Sequence, residues 1–236
     1  MKKIANKIMA FLAFLGFITS SVVLVITFNA PKTRAVILMA WGLIIFWCVI
    51  FGAVSILFKD RIAKFVRGIK INQFVIFVIF CTLLAMLEEA VTVSMTNCAP
   101  LFGVKYGEAY ITASGNYLDV ICFHSVIVFV PMFIFWSLYL KRYDFSPEEV
   151  FILFGITGTI AEMQFAGQWN PLIVGFWSWV YGLMVYLPAY SLEFKKERLK
   201  PKFVHYLGAI LIPGVFVIPV AVLLHIFAPH PTIHFQ

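Results

Sequence analysis

Residues 73–97 read QFVIFVIFCTLLAMLEEAVTVSMTN, and this stretch decides the fold class. It is long enough to cross a bilayer as one helix, and its first ten residues are almost entirely apolar. Its second half nevertheless carries two adjacent carboxylates, Glu88 and Glu89. A carboxylate in the hydrocarbon region is costly unless it faces a partner or a polar cavity. The stretch therefore predicts a membrane-spanning helix that contributes to a functional site.

The composition extends this prediction to the whole chain. Of the 236 residues, 62% are hydrophobic and only 12% are charged, and the mean hydropathy is +0.97. A soluble domain of this size needs a far more polar surface. We predict one all-α domain over residues 1–236, a polytopic integral membrane protein. Seven spans are expected, at 8–28, 35–57, 73–96, 117–140, 148–168, 171–192 and 204–227.

The basic residues predict the orientation of these spans. Fifteen of the eighteen lysines and arginines fall before the first span or in the joins after the second, fourth and sixth spans. The positive-inside rule then places the N-terminus in the cytoplasm and the C-terminus outside, in a multi-pass protein of the cell membrane. The net charge of +7 is explained by topology, so no nucleic-acid partner is expected. The expected partners are the lipid bilayer and a membrane lipid or lipophilic small molecule; the oligomeric state is left open.

Spans 3 and 5 share a weak internal similarity. FVIFCTLLAMLEEAV begins at Phe77 and FILFGITGTIAEMQF begins at Phe151, with a constant offset that also aligns Glu88 with Glu162. Parallel repeats around a central site are a known way to build membrane proteins. The alternative is chance similarity between two phenylalanine-rich helices.

The depth of the polar residues predicts which of them belong together. Glu88, Glu162 and His124 each lie roughly 12–14 Å below the outer end of their helix, at 1.5 Å per residue. We take these three as candidate catalytic residues. The candidate substrate-binding residues are Glu89, Asn97, Asn116, Asp119, Asn170 and Trp177. The alternative is a hydrogen-bonded cluster that only ties spans 3, 4 and 5 together.

Asp119 is expected nearer the outer rim of span 4 than His124. The two residues are five positions apart, which is not a same-face spacing on an α-helix.

A neutral glutamic acid beside a charged one forms a general acid–base pair. Burial in an apolar bundle favours this state, in which one carboxyl group is protonated and the other ionised. Such a pair in an aromatic-rich pocket suits protonation of a carbon–carbon double bond in a long lipid, without a cofactor. No metal site is predicted either. The tail contains His225, His230 and His234, but Pro231 disfavours the helix on which an H-x-x-x-H pair binds zinc.

A family resemblance begins at the same residues. It is carried by Glu88, Thr96, Leu101–Phe102–Gly103, Tyr106, Pro131, Trp136 and the stretch NPLIVGFWSW from Asn170 to Trp179. Their spacing resembles that of membrane carotenoid-biosynthesis proteins, which include carotenoid hydratases and small membrane lycopene cyclases. The resemblance implies a seven-helix bundle and a carotenoid or isoprenoid substrate. The chain departs from the family at Asn170, where an aspartate is expected, and in PEEVF, which lacks a spacer residue.

Two other functions fit part of the pattern. Mid-membrane carboxylates and repeats are common in proton-coupled transporters, although here the polar residues cluster in the outer half, whereas transport needs access from both sides. A non-catalytic assembly or lipid-organising protein is the second alternative.

Overall fold

The computed structural model describes residues 2–165, 169–193, 197–228, 231 and 233–235. Among these residues, every element of regular secondary structure is a helix, apart from one isolated β-bridge between Tyr143 and Leu199. The α-helices are α1 (Lys2–Ile26), α2 (Pro31–Leu43), α3 (Gly52–Gly68), α4 (Gln73–Asn97), α5 (Tyr117–Asp119), α6 (Val126–Arg142), α7 (Pro147–Phe165), α8 (Val174–Ser191) and α9 (Phe203–Phe227). Short 3₁₀ turns cover Ala99–Phe102 and Pro171–Ile173.

Several of these helices are long and apolar enough to cross a membrane. Five continuous segments qualify, Lys3–Ile26, Pro31–Gly68, Gln73–Asn97, Pro171–Ser191 and Phe203–Phe227. A sixth is obtained if the bent pair Tyr117–His124 and Val126–Arg142 forms one span. All seven predicted segments are helical over most of their length. Helix α7 does not satisfy the same criterion of length and composition, and it contains Glu148, Glu149 and Glu162.

The start of α7 follows from a capping box. The Ser146 backbone N–H donates to Glu149 Oε2 at 2.8 Å, and the Glu149 N–H donates to Ser146 Oγ at 3.2 Å. Such reciprocal bonds satisfy the amide groups that a helix start leaves without partners. The phenol of Tyr206 also donates to Glu149 Oε1 at 2.7 Å. The segment SPEE at 146–149 therefore supplies the cap, the proline and the acidic first turn of α7.

The fourth predicted span is broken rather than straight. A π-helical turn covers Val120–His124, and the chain then bends by 48° into α6. The Ser125 N–H donates to the Val120 carbonyl at 2.9 Å, an i to i−5 bond that defines the π-turn. The segment predicted as one span over 117–140 is helical, but it contains this π-turn and bend.

Glycines allow the central helices to approach closely. A Cβ atom built on Gly155 of α7 would overlap the carbonyl oxygen of Ser178 on α8. Likewise, a Cβ on Gly16 of α1 would lie 2.9 Å from the backbone of Gly175 on α8. Helix α8 is thus held between α1 and α7 by backbone proximity, as small residues permit in membrane bundles. This packing brings α8 next to the part of α7 that carries Glu162.

Polar contacts join the chain segments at one end of the bundle. Arg67 at the end of α3 donates to the Ser191 carbonyl at the end of α8, with an N–O distance of 3.2 Å. Nearby, Arg198 pairs with Asp144, and the Glu193 N–H donates to Gln73 Oε1 at 2.7 Å. The ends that carry most basic residues therefore lie together. The opposite end holds the loop 98–116 and the described part of the tail, because the His234 N–H donates to the Ala113 carbonyl at 2.8 Å.

We predict that Gly155→Ala destabilises the protein. The added methyl group meets backbone rather than a movable side chain, so α7 and α8 must separate at a cost of about 1–3 kcal/mol. Gly214→Ala in α9 is the matched control, because no atom lies within 4 Å of the position that its added methyl group would occupy. Thermal unfolding in mild detergent measures both variants. Equal melting temperatures for the two would contradict the close packing of α7 on α8.

Candidate functional site

One cavity of about 550 Å³ lies among α4, the π-turn, α6, α7, α8 and α9. Its polar lining includes Glu88 and Glu89 from α4, Glu162 from α7 and His124 from the π-turn. Trp177 and other apolar side chains form much of the remaining wall. Five of the nine residues singled out from the sequence thus line a single cavity. Its volume lies in the range of ordinary ligand pockets.

Each glutamate of the cavity has a hydroxyl partner. Thr92 Oγ1 donates to Glu88 Oε1 at 2.8 Å, and Tyr181 OH donates to Glu162 Oε2 at 2.7 Å. Ser125 Oγ donates to Glu89 Oε1. These bonds offset part of the cost of placing carboxyl groups in an apolar bundle. None of the three hydroxyl donors, Thr92, Ser125 and Tyr181, is predicted from the sequence. Thr92 could have been found from its i, i+4 spacing to Glu88, whereas the other two come from different helices.

The second carboxyl oxygen of Glu89 differs from the oxygens described above, because it is buried and no described residue donates to it. Glu89 is only 6% exposed, and its Oε2 atom has no hydrogen-bond partner among the described residues. A buried polar atom without a partner is costly and calls for a water, proton or ligand. Among the described residues, those that line the cavity include no lysine or arginine. Because three adjacent negative charges repel strongly in an apolar surrounding, the arrangement suits a proton held among the carboxyl groups.

An aromatic group supports Glu162 from the side of α8. The ring of Tyr181 stacks on Trp177 at 5.4 Å between centroids, and it also contacts Phe129 of α6 at the same centroid distance. Tyr181 is 6% exposed. Its phenol group is therefore held in one position by packing, so the donor to Glu162 is fixed in place.

Three predicted substrate-binding residues do not line the cavity. Asn97 donates through Nδ2 to the Gly115 carbonyl at 3.0 Å, which joins the end of α4 to the loop 98–116. Asn116 caps α5 by accepting from the Leu118 N–H at 3.0 Å, and Asn170 accepts from the Leu172 N–H at 3.0 Å at the start of the 3₁₀ turn. Asparagine is favoured at such caps because its side chain accepts a backbone bond. Their positions fit a local structural role.

Asp119 also lies outside the cavity lining, but it is close to His124. The distance between Asp119 Oδ2 and His124 Nε2 is 3.6 Å. On a regular α-helix five positions correspond to a rotation of about 140°. The π-turn instead brings residues i and i+5 onto the same face, so the expectation that Asp119 and His124 point apart is wrong.

A third residue joins this pair from the C-terminal tail. His234 Nε2 lies 3.1 Å from Asp119 Oδ2 and 3.1 Å from His124 Nε2. The three side chains are mostly buried, with exposures of 18% for Asp119, 8% for His124 and 17% for His234. His225 lines the cavity from α9, and His230 lies outside the described residues.

Comparison of the chain with protein-family models, with curated proteins and with solved structures found no match. The resemblance to carotenoid-biosynthesis proteins therefore stays a prediction from the sequence.

We predict that Tyr181→Phe lowers stability by about 1–2 kcal/mol, because it leaves a half-buried carboxyl oxygen of Glu162 without its donor. Tyr190→Phe is the matched control. It removes a phenol–carboxylate bond of similar length, 2.6 Å to Asp60, at the more exposed end of α8. Exposed pairs contribute about 0–1 kcal/mol. Reversible unfolding in mixed detergent micelles measures both. A loss as small in Tyr181→Phe as in the control would mean that Glu162 does not depend on this bond.

Proposed function

We propose that the protein is a membrane enzyme whose cavity carries out acid–base chemistry on a lipophilic molecule. The observation that supports this most is the placement of Glu88, Glu89 and Glu162, from two helices, on one otherwise largely apolar cavity. A structural cluster would be expected to bond its carboxyl groups to one another or to cations. Here each carboxyl bonds to a hydroxyl group, and Glu89 Oε2 stays without a described partner. In this proposal one carboxyl group donates a proton and a second receives one.

The wall of the cavity suggests the class of substrate. Phe123, Phe129, Trp177 and Tyr181 line the same cavity as the carboxyl groups, and aromatic faces favour a developing positive charge nearby. Protonation of a carbon–carbon double bond creates such a charge. We therefore propose hydration or cyclisation of an isoprenoid chain, one end of which enters the cavity, as the reaction. The sequence resemblance to carotenoid hydratases and cyclases points to the same class.

We predict that wild-type protein purified in mild detergent carries a specific lipophilic molecule, identified by mass spectrometry of the extract. In cells that express Glu88→Gln or Glu162→Gln, the ratio of product to substrate falls by about 100-fold or more, as expected when a general acid or base is lost. Glutamine keeps the shape of the side chain, so these variants should still fold.

Glu108→Gln is the control for this experiment. Glu108 lies in the outer loop, where it pairs with Lys32 at 3.6 Å and is well exposed, and it does not line the cavity. This variant should match the wild type. If all forms contain only the same bulk phospholipids, the enzyme proposal fails, and proton-flux measurements in proteoliposomes would then test the transporter alternative.

We also propose that all seven predicted segments cross the cell membrane, with a cytoplasmic N-terminus and an external C-terminus. The grouping of the basic segments at one end of the bundle supports this orientation, as does the contact between the tail and the loop 98–116 at the other. In this topology α7 crosses the membrane despite its three glutamates, because Glu148 and Glu149 are buried and Glu162 faces the cavity. The alignment of Glu88 with Glu162, both on the cavity, supports the parallel repeat.

Reporter fusions test this topology. We expect alkaline phosphatase fused after Gln236 to be active and a fluorescent protein fused there to be dark, because phosphatase folds only outside the cytoplasm. The same fluorescent protein fused before Met1 should be bright. A bright C-terminal fusion would mean an even number of spans.

A further inference from the structure

We propose that Asp119, His124 and His234 form a binding site for a divalent transition metal, with zinc as the first candidate. This inference goes beyond the acid–base cavity, with which the proposed metal site shares one lining residue, His124. Two imidazoles and a carboxylate are a common set of protein ligands for zinc and related metals. The ligand atoms of the three residues lie within 4.8 Å of one another.

The spacing of the ligand atoms fits a metal at their centre. His124 Nε2, His234 Nε2 and Asp119 Oδ2 form a triangle with sides of 3.1, 3.1 and 3.6 Å. Nitrogen and oxygen ligands about 2.0–2.1 Å from a tetrahedral zinc are about 3.3 Å apart. The three side chains therefore need little movement to bind one ion. A fourth position would remain for water or for another ligand.

The backbone around the site holds these side chains in place. The Asn116 side chain accepts from the Asp119 N–H at 3.3 Å and fixes the start of the helix. The π-turn then places His124 on the face of Asp119. A ligand pair separated by five residues requires such a turn, and π-turns recur at functional sites because they realign side chains in this way.

The tail is anchored on both sides of His234. Its own backbone N–H donates to the Ala113 carbonyl at 2.8 Å. The next residue, Phe235, packs against Tyr106 and Tyr110, with centroid distances of 5.6 and 4.9 Å. These contacts place the His234 imidazole over the π-turn without any help from a metal. A metal site benefits from such preorganisation, because its ligands are already held near the geometry that binds the ion.

The alternative is a hydrogen-bonded histidine–aspartate–histidine group without a metal. Both explanations account for the short distances, but they differ in what they predict for purified protein. A metal site requires both imidazoles in their neutral form, so a bound ion would be released on acidification.

The test uses the full chain with an affinity tag that lacks histidine, stripped with a chelator and then titrated with Zn²⁺ or Co²⁺. Metal analysis after gel filtration should find one zinc per wild-type chain. His124→Ala and His234→Ala should each bind at least tenfold more weakly, and so should Asp119→Asn. Bound Co²⁺ should show the visible absorption of a tetrahedral site.

Cys122→Ser provides the matched control. Cys122 is an exposed thiol on the same π-turn, between Asp119 and His124, and it is not part of the cluster. This variant should bind zinc like the wild type. If the histidine variants fail to fold, the wild type alone decides, since a true site must raise its melting temperature with added Zn²⁺.

Wild-type protein that binds neither ion would overturn the proposal and leave the hydrogen-bonded group. Equal binding by the three cluster variants and the wild type would also overturn it. None of these measurements depends on catalytic activity, so the metal site and the acid–base function can fail separately.

Discussion

The structure depends on the need to satisfy carboxyl groups that lie inside an apolar bundle. Helix α4 places Glu88 and Glu89 where no bulk water is available, with exposures of 2% and 6%. Each such group requires a donor, and a donor on a neighbouring helix fixes where that helix must lie. Ser125 meets Glu89 at the bend before α6. On the other side of the cavity, Tyr181 of α8 meets Glu162 of α7. The polar bonds thus set the relative positions of elements that apolar packing alone would leave adjustable.

The sequence was sufficient for features that depend on local chemistry. The seven helical segments follow from apolar length, and the helix start at Pro147 follows from Ser146 and Glu149. Counting residues along their helices grouped Glu88, Glu162 and His124, and these three residues line one cavity, although the count to His124 runs through the π-turn. The sequence alone could not show which residues complete the site, because Tyr181 and Ser125 reach Glu162 and Glu89 only through the packing of the helices. The position of a serine or tyrosine in the sequence does not indicate which helix its side chain will contact.

The π-turn is the clearest case in which sequence periodicity fails. Asp119 and His124 have a spacing that a regular helix separates, and one inserted residue per turn brings them together. The same turn ends in the 48° bend at Ser125, which directs the serine hydroxyl to Glu89. One local irregularity therefore serves both groups of polar residues. The contact of His234 with Asp119 and His124 was equally unpredictable from the sequence, since it depends on the position of the tail after α9.

The position of α9 links these two groups. Val217, Ala221, Leu224 and His225 of α9 form one wall of the cavity. Yet the buried residues of α9 are Ala209 and Pro213, both nearer its other end. The half that faces the carboxyl groups is therefore packed less tightly against the bundle. In that half Phe216 contacts Phe135 of α6, with 5.5 Å between ring centroids, and farther along the chain His234 is bonded to Ala113 and lies against Asp119 and His124. The two groups also share a residue, because His124 lines the cavity and its Nε2 atom lies 3.1 Å from His234 Nε2.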